Sequence, residues 1–520
     1  MTLSTLDLAI VGIYAVSIFA LAQWVSRERD SHKKDAQDYF LAGRALPWWA
    51  IGTSLIAANI SAEQIIGMSG SGYVIGLGIA SYEWMAALTL IIVGKFFLPI
   101  FLKNGIYTMP EFLEKRYSPS VRTVMAIFWL GVYVFVNLTA ILWLGATAVH
   151  TVAGIEVQTA VIALAVFAGL YALYGGLKAV ALTDIVQVSL LVLGGLVISY
   201  LALNRISAGA GVLAGFHELT LRFPSKFDMI LSRDNPNYKD LPGLSVLLGG
   251  MWVMNVSYWG FNQYIIQRAL AAKDIREAQK GIVLAAFLKL LMPIIIVLPG
   301  IAAIALAPNL ARPDEAYPHL MAMLPSGVLG VVFAALIAAI VASMGSKINS
   351  IATIFTMDVY RPLRPQTSPQ RLVLIGRLTA VVALVIATLV SKPLLGSFDQ
   401  AFQYIQEFTG FFTPGICVIF LLGMFWERCT ANGALIAAIA SAALSFALKF
   451  VWPSLPFMDR VGLVFLICLA IAVVISLLEK RRETPLKVEL NSIDYSTSTG
   501  FNLAAFVITV ILVALYASFW

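Results

Sequence analysis

Along the chain, apolar runs of eighteen residues or more return one after another, separated by short polar stretches that hold most of the charges. Each run is long enough to cross about 30 Å of hydrocarbon as a helix. Fourteen spans are predicted: 5–24, 47–72, 78–102, 121–149, 157–175, 181–203, 243–268, 279–307, 326–357, 372–390, 400–425, 433–451, 460–478 and 500–519. The pattern is that of an all-α integral membrane protein without a soluble domain. The first span follows no basic residue and shows no small-residue cleavage site, so it reads as a retained helix rather than a signal peptide.

Composition agrees with the pattern. Of 520 residues, 60% are hydrophobic and 12% charged, and the mean hydropathy is +0.87. Roughly two-thirds of the 35 Lys and Arg residues fall in the loops 25–46, 103–120, 176–180, 269–278, 358–371, 426–432 and 479–499 or at the helix ends beside them. The positive-inside rule makes these loops cytoplasmic and sets both termini outside. In a bacterium this is the inner membrane. The net charge of +7 then faces anionic lipid headgroups and gives no argument for nucleic acid. Cys417, Cys429 and Cys468 have no paired spacing, so neither a disulfide framework nor a metal site is indicated, and no obligate protein partner is evident. The longest extramembrane segment, 204–242, is expected to form an external cap.

Against this background the polar residues inside spans stand out. A charge at mid-membrane costs about 2.5–3.5 kcal/mol on insertion scales. The charged ones are Glu63, Glu83, Lys95, Asp184, Lys289, Lys347 and Glu407; their uncharged companions are Asn59, Gln64, Asn137, Asn255, Gln263, Asn349 and Gln406. Lys95, Asp184 and Glu407 lie close to span ends, where snorkelling accounts for them. Asn137, Asn255 and Asn349 could tie helices together. Lys289 stands about 15 Å into its helix, out of reach of either interface, and Glu83 offers it an opposite charge. A hydrated chamber lined by polar side chains explains both.

Two spans carry interruptions, "AANISAEQIIGMSGSGYVI" at 57–75 and "MNVSYWGFNQYIIQ" at 254–267. Broken backbone is tolerable in a membrane only where protein or a wet cavity satisfies its amides and carbonyls, and those groups can then hold a small cation or a polar solute. The interruptions are five spans apart. Five is odd, so the units that begin with them enter the membrane from opposite sides. This gives a five-plus-five inverted-repeat core with a discontinuous first helix in each repeat: 1–46 an extra helix and cytoplasmic loop, 47–203 the first repeat, 204–242 the external loop, 243–425 the second repeat and 426–520 three additional helices. Such an architecture is that of an alternating-access secondary transporter. A channel would also need polar residues in the membrane, but no filter-like loop is present, and no Walker motif offers ATP.

The segments "DYFLAGRALPWWAIGTSLIAANISAEQIIGMSGSGY", "SYEWM", "GKFFLPIF", "YWGFNQYIIQRALAA", "GIVLAAFLKL", "VLPGIAA", "ATIFTMD" and "AFQYIQEFTG" resemble the sodium/solute symporter family over nearly the whole chain. The resemblance is strongest to its bacterial sodium/galactose symporters and extends to the animal sodium/glucose cotransporters. It implies sodium-coupled import of a hexose such as galactose or glucose, with no covalent chemistry and hence no enzyme. Matching positions imply a sugar site at Gln64, Glu83, Asn137, Asn255, Lys289 and Gln406, an inner gate at Tyr258, and an outer gate at Met68, Tyr82 and Phe402. They also imply a sodium site formed by the carbonyls of Ala57, Ile60 and Ala339 with two serine hydroxyls, and an ion exit path past Asp184.

This chain departs from that pattern twice at the sodium site. Ala342 stands where the first serine is expected, leaving Ser343, and Lys347 stands one turn further on, where the family has an apolar residue. An ammonium there would repel sodium, or stand in for it so that a proton drives transport. Ala86, where the sugar relatives have serine, removes one possible sugar contact. The alternatives kept open are a proton-coupled or uncoupled carrier of a polyol, sugar acid or amino acid, and a solute sensor that moves nothing.

Overall fold

A computed structural model describes residues 3–26, 45–395, 401–480 and 487–520; the side chains of residues 19, 22, 23, 25, 26 and 171–184 lie outside that description, Asp184 among them. Among the described residues the regular secondary structure is helical apart from one isolated bridge, Leu46 to Ala272. Among the described residues nine helices are long and apolar enough to cross a bilayer, and the pair Ala401–Gly410 and Thr413–Phe425, bent by 48°, makes a tenth. Two shorter apolar helices, Thr5–Ile18 and Val157–Leu170, and the two broken spans stand at the remaining expected places. Exposed apolar side chains such as Leu8, Ile127, Leu193, Phe446 and Val513 face outward from these helices, as a hydrocarbon solvent requires. The chain is a multi-pass membrane protein.

The fifth and sixth expected spans fall within one helical run, Val157–Ile206. A straight rod of that length would reach about 75 Å. Yet Leu164 meets Gly145 beside Ile340, and Gly194 meets Val332, eight residues away on the same partner helix. The two described ends of the run therefore lie side by side.

The first broken span runs as Trp48–Asn59, then an extended residue, Ile60, then a π-helical turn Glu63–Met68 and a short helix Ser69–Val74. The second runs as Gly250–Val256, a π-helical turn Ser257–Phe261, an extended Asn262 and the helix Gln263–Leu270. Both interruptions are therefore present, but the glycines do not make them. Gly70, Gly72 and Gly260 lie in helical turns where a Cβ would press on Asp314, on Val297 and on the Phe97 ring, at 2.6–2.9 Å. They let neighbours approach closely, as small residues do in membrane packing.

The two broken spans cross each other in opposite directions. Leu46 N donates to Ala271 O at 3.0 Å, Arg268 Nε to Ser54 O at 2.9 Å, and Asn59 Nδ2 to the Tyr258 hydroxyl at 3.0 Å. Numbers rise on one partner as they fall on the other, so the spans are antiparallel and their breaks meet at one level.

The segment 204–242 closes over the end of the first broken span. Its helix Val212–Arg222 was not expected; Lys226 Nζ and Asn237 Nδ2 both donate to Val74 O, and Gly76, at φ +98°, turns the chain beneath Lys226. Met229 N donates to Phe519 O at 2.7 Å, which brings the C-terminal end of the chain to the same face. At the other end, the Asp7 carboxylate accepts from Gly327 N at 2.7 Å and Gly330 N at 2.8 Å, fixing the first helix to the start of Val328–Ile354.

The tightest approach beside the first broken span is Gly300, where a Cβ would sit 2.1 Å from Ser69 O, whereas Gly12 has open space around it. Gly300→Ala is expected to lower stability by about 1–3 kcal/mol, read as a lower thermal unfolding midpoint in detergent, while Gly12→Ala leaves the midpoint unchanged.

Candidate functional site

A chamber with an interior volume of about 80 Å³ opens where the two breaks meet. All six positions expected to hold a solute line it: Gln64, Glu83, Asn137, Asn255, Lys289 and Gln406. Each comes from a different segment. Gln64 rides on the π-helical turn after the first break, Glu83 on Ser81–Ile92, Asn137 on the turn Tyr133–Leu138, Asn255 on the second broken span, Lys289 on Ile275–Ile295 and Gln406 on Ala401–Gly410.

Lys289 and Glu83 are both buried and form a direct ion pair. Lys289 also donates to Asn59 Oδ1 and lies 4.9 Å from the centre of the Trp259 ring. Asn59 thus joins the pair to Tyr258 through its amide nitrogen. Asn255 donates back to Met251 O of its own helix at 3.2 Å, so it does not tie two helices together. Glu407, outside the lining, pairs with Arg460 at 2.6 Å and Lys449 at 3.1 Å.

Three buried oxygens on the chamber wall have no hydrogen-bond partner among the described residues: Glu63 Oε1, Gln64 Oε1 and the Tyr82 hydroxyl. Leaving such groups unpaired costs about 1–3 kcal/mol each. They are open to hydrogen bonding by whatever occupies the chamber.

The aromatic positions divide by side. Tyr258 lines the chamber, and its hydroxyl is held by Asn59 and, at 2.8 Å, by Tyr264. Tyr82 and Phe402 pack edge to face with centroids 5.3 Å apart, and Gly67, just before the buried Met68, touches Phe402. Met68 and Phe402 stand behind the lining rather than in it.

At the expected cation position, Ala57, Ile60, Ala339, Ala342 and Ser343 are all buried. Ser343 Oγ donates to Ala58 O at 3.1 Å, docking the Val328–Ile354 helix on the first break. Lys347 Nζ donates to Ser343 Oγ at 3.2 Å and lies 4.4 Å from the centre of the Tyr264 ring.

Several residues gain importance only here. Glu63, noticed in the sequence for its cost but given no role, joins the wall beside Gln64 and Asn137. Tyr133 serves the second break: its hydroxyl donates to Asn262 Oδ1 and accepts from Gln263 N at 3.0 Å. Arg268, wholly buried, binds Ser54, Tyr264 O and Ser346. A motif at the break could have pointed to Asn262; nothing in spacing points to Tyr133, which is distant in sequence.

A polar chamber between antiparallel broken spans, enclosed by apolar helices, defines a membrane carrier of polar solutes. Comparison with known proteins gives the particular group. The sodium:solute symporter family model matches residues 39–441. The chain is 50% identical to a sodium/glucose cotransporter of Vibrio parahaemolyticus over 100% of this chain and 99% of the relative. It is 33% identical to the sodium/myo-inositol cotransporter of Homo sapiens over 85% of this chain and 66% of the relative. A solved Na+-coupled sialic acid symporter in a substrate-bound outward-open state shares the fold, with a TM-score of 0.80 at 22% identity over 92% of this chain and 98% of that one. The chain belongs to the sodium:solute symporter family.

Removing one member of the buried pair strands the other. Lys289→Met is expected to destabilise the protein by about 3–5 kcal/mol, and Lys289→Met with Glu83→Gln to recover most of that loss. Thermal unfolding of the purified variants in detergent checks both.

Proposed function

We propose that the chain is a cation-coupled symporter that imports a neutral polyhydroxy solute, a hexose such as galactose or glucose, by alternating access across a bacterial plasma membrane with both termini outside. The observation that carries this reading is the trio of unpartnered oxygens facing the chamber beside Lys289, Asn137, Asn255 and Gln406. A hexose presents hydroxyls that donate and accept in every direction, which suits a wall of amides, a carboxylate and an ammonium. The balanced Glu83 and Lys289 pair favours a solute without net charge. The 50% identity to a sodium/glucose cotransporter supports the same class.

In this reading Gln64, Glu83, Asn137, Asn255, Lys289 and Gln406 hold the sugar, Tyr258 is the inner gate, and Met68, Tyr82 and Phe402 are the outer gate. The coupling cation, sodium, sits at the first break among Ala57 O, Ile60 O, Ala339 O and Ser343 Oγ and leaves past Asp184. The antiparallel crossing of the broken spans supports the division into inverted repeats at 47–203 and 243–425. Rocking of one repeat against the other would expose the chamber to each side in turn.

One charge crossing about 100 mV gains about 2.3 kcal/mol and a tenfold gradient adds about 1.4. Roughly 3.7 kcal/mol supports several hundredfold accumulation.

Labelled glucose, galactose and myo-inositol are to be offered to proteoliposomes with an inward sodium gradient, an inward proton gradient or neither. Accumulation of at least one solute above its equilibrium level under a cation gradient is expected; equal uptake in all three conditions overturns coupling. Gln64→Ala is expected to weaken apparent solute affinity roughly fivefold to a hundredfold, the worth of one buried hydrogen bond, with an unchanged unfolding midpoint.

A further inference from the structure

A larger cavity, of about 1230 Å³, lies apart from the chamber and shares no lining residue with it. Its walls come from the start of the helix Ile275–Ile295, the last turn of the span Leu77–Lys103 and the first turn of Thr499–Ser518. All three are ends of membrane spans, so the cavity sits where hydrocarbon gives way to water. It exceeds the roughly 300–1,000 Å³ of ordinary small-molecule pockets.

The polarity of this groove changes along its length. On Ile275–Ile295 it is bordered in turn by Arg276, Gln279, Lys280, Val283, Leu284 and Phe287, whose three- and four-residue steps make one helix face. The stripe descends about 16 Å, close to half of a hydrocarbon core about 30 Å thick. Basic residues stand at the end of the span and apolar ones toward its middle. Across the groove, Pro99, Leu102 and the buried Phe501 continue the apolar wall. Trp48, also in the lining, is 40% exposed and donates its backbone N–H to Glu277 at 2.8 Å, at the basic end. Tryptophan collects at that level of a bilayer.

The charges at the basic end are unequally committed. Lys103 is held by Glu489 at 3.1 Å and by Ser492 O at 2.6 Å. Asp494, the one carboxylate in the lining, accepts from Ser496 N at 2.8 Å within its own turn. Lys280 lies 3.2 Å from Glu277 but is 59% exposed, and such a pair is weak. Arg276 is exposed and has no hydrogen bond or ion pair among the described residues. A free guanidinium presents a planar fork that fits a phosphate. A soluble anion would use this end alone and leave the apolar length of the groove empty; a phospholipid uses both.

We infer that the groove is a seat for one anionic phospholipid, its phosphate against Arg276 and Lys280 and an acyl chain along Val283, Leu284 and Phe287. Basic pockets between membrane helices are where acidic headgroups settle. The inference depends on the spans and not on which solute the chamber carries.

The test uses the purified full chain in detergent micelles, titrated with phosphatidylglycerol, with phosphatidylcholine of the same acyl chains, or with glycerol phosphate alone. Retained lipid is counted by native mass spectrometry, and affinity is read from the rise of the thermal unfolding midpoint with lipid concentration. One retained phosphatidylglycerol per chain is expected, with phosphatidylcholine bound about tenfold more weakly and glycerol phosphate without effect. Arg276→Gln is expected to weaken phosphatidylglycerol binding about fivefold and Arg276→Gln with Lys280→Gln about thirtyfold. Arg364→Gln, an exposed cation outside the groove, leaves it unchanged. Val283→Trp, which fills the apolar end, is expected to abolish retention with both cations in place; should it fail to fold, the charge variants at exposed positions decide alone. Equal binding of the two lipids overturns the inference, as does undiminished retention in the double variant. Protection by glycerol phosphate equal to that by the whole lipid also overturns it and makes the cavity a site for a soluble anion.

Discussion

A backbone that breaks inside a membrane must find hydrogen-bond partners within the protein, because hydrocarbon offers none. Two such breaks, at Ile60 and Asn262, organise everything else. Each is supplied by a distant helix: Ser343 meets the Ala58 carbonyl at the first, and Tyr133 meets Asn262 and Gln263 at the second. Those supports bind the two halves of the chain to one another where a solute would have to pass. The chamber is therefore a consequence of how the breaks are satisfied.

The same economy governs charge. Burying isolated ions in a low-dielectric interior is costly, and opposite partners offset that cost only in good geometry. Glu83 and Lys289 meet directly and share Asn59 with Tyr258, so the charged pair and the Tyr258 hydroxyl belong to one hydrogen-bonded network. Lys347 donates to Ser343 Oγ beside the first break.

Much of this was legible beforehand. Apolar runs placed the helices, because hydrocarbon thickness fixes their length, and insertion cost singled out Glu83, Lys289 and Lys347, since nothing but function or pairing holds a charge at that depth. Motif likeness collected Gln64, Asn137, Asn255 and Gln406, and all line the chamber. The role of the glycines at 70, 72 and 260 was not legible in the sequence. A glycine is equally suited to a bend or to close packing, and only the neighbours 2.6–2.9 Å from a would-be Cβ distinguish them.

By itself the sequence determined an all-α membrane protein with two interrupted spans, because span length and the rarity of buried polar residues are local properties of the chain. Tertiary structure alone decided who satisfies whom: that Asn59 bridges Lys289 and Tyr258, that Tyr133 supports the second break, and that the broken spans run antiparallel with their interruptions level. These partners lie up to 285 residues apart, as for Ser343 and Ala58, and hydrogen bonds a few ångströms long depend on how helices pack, which residue spacing does not encode.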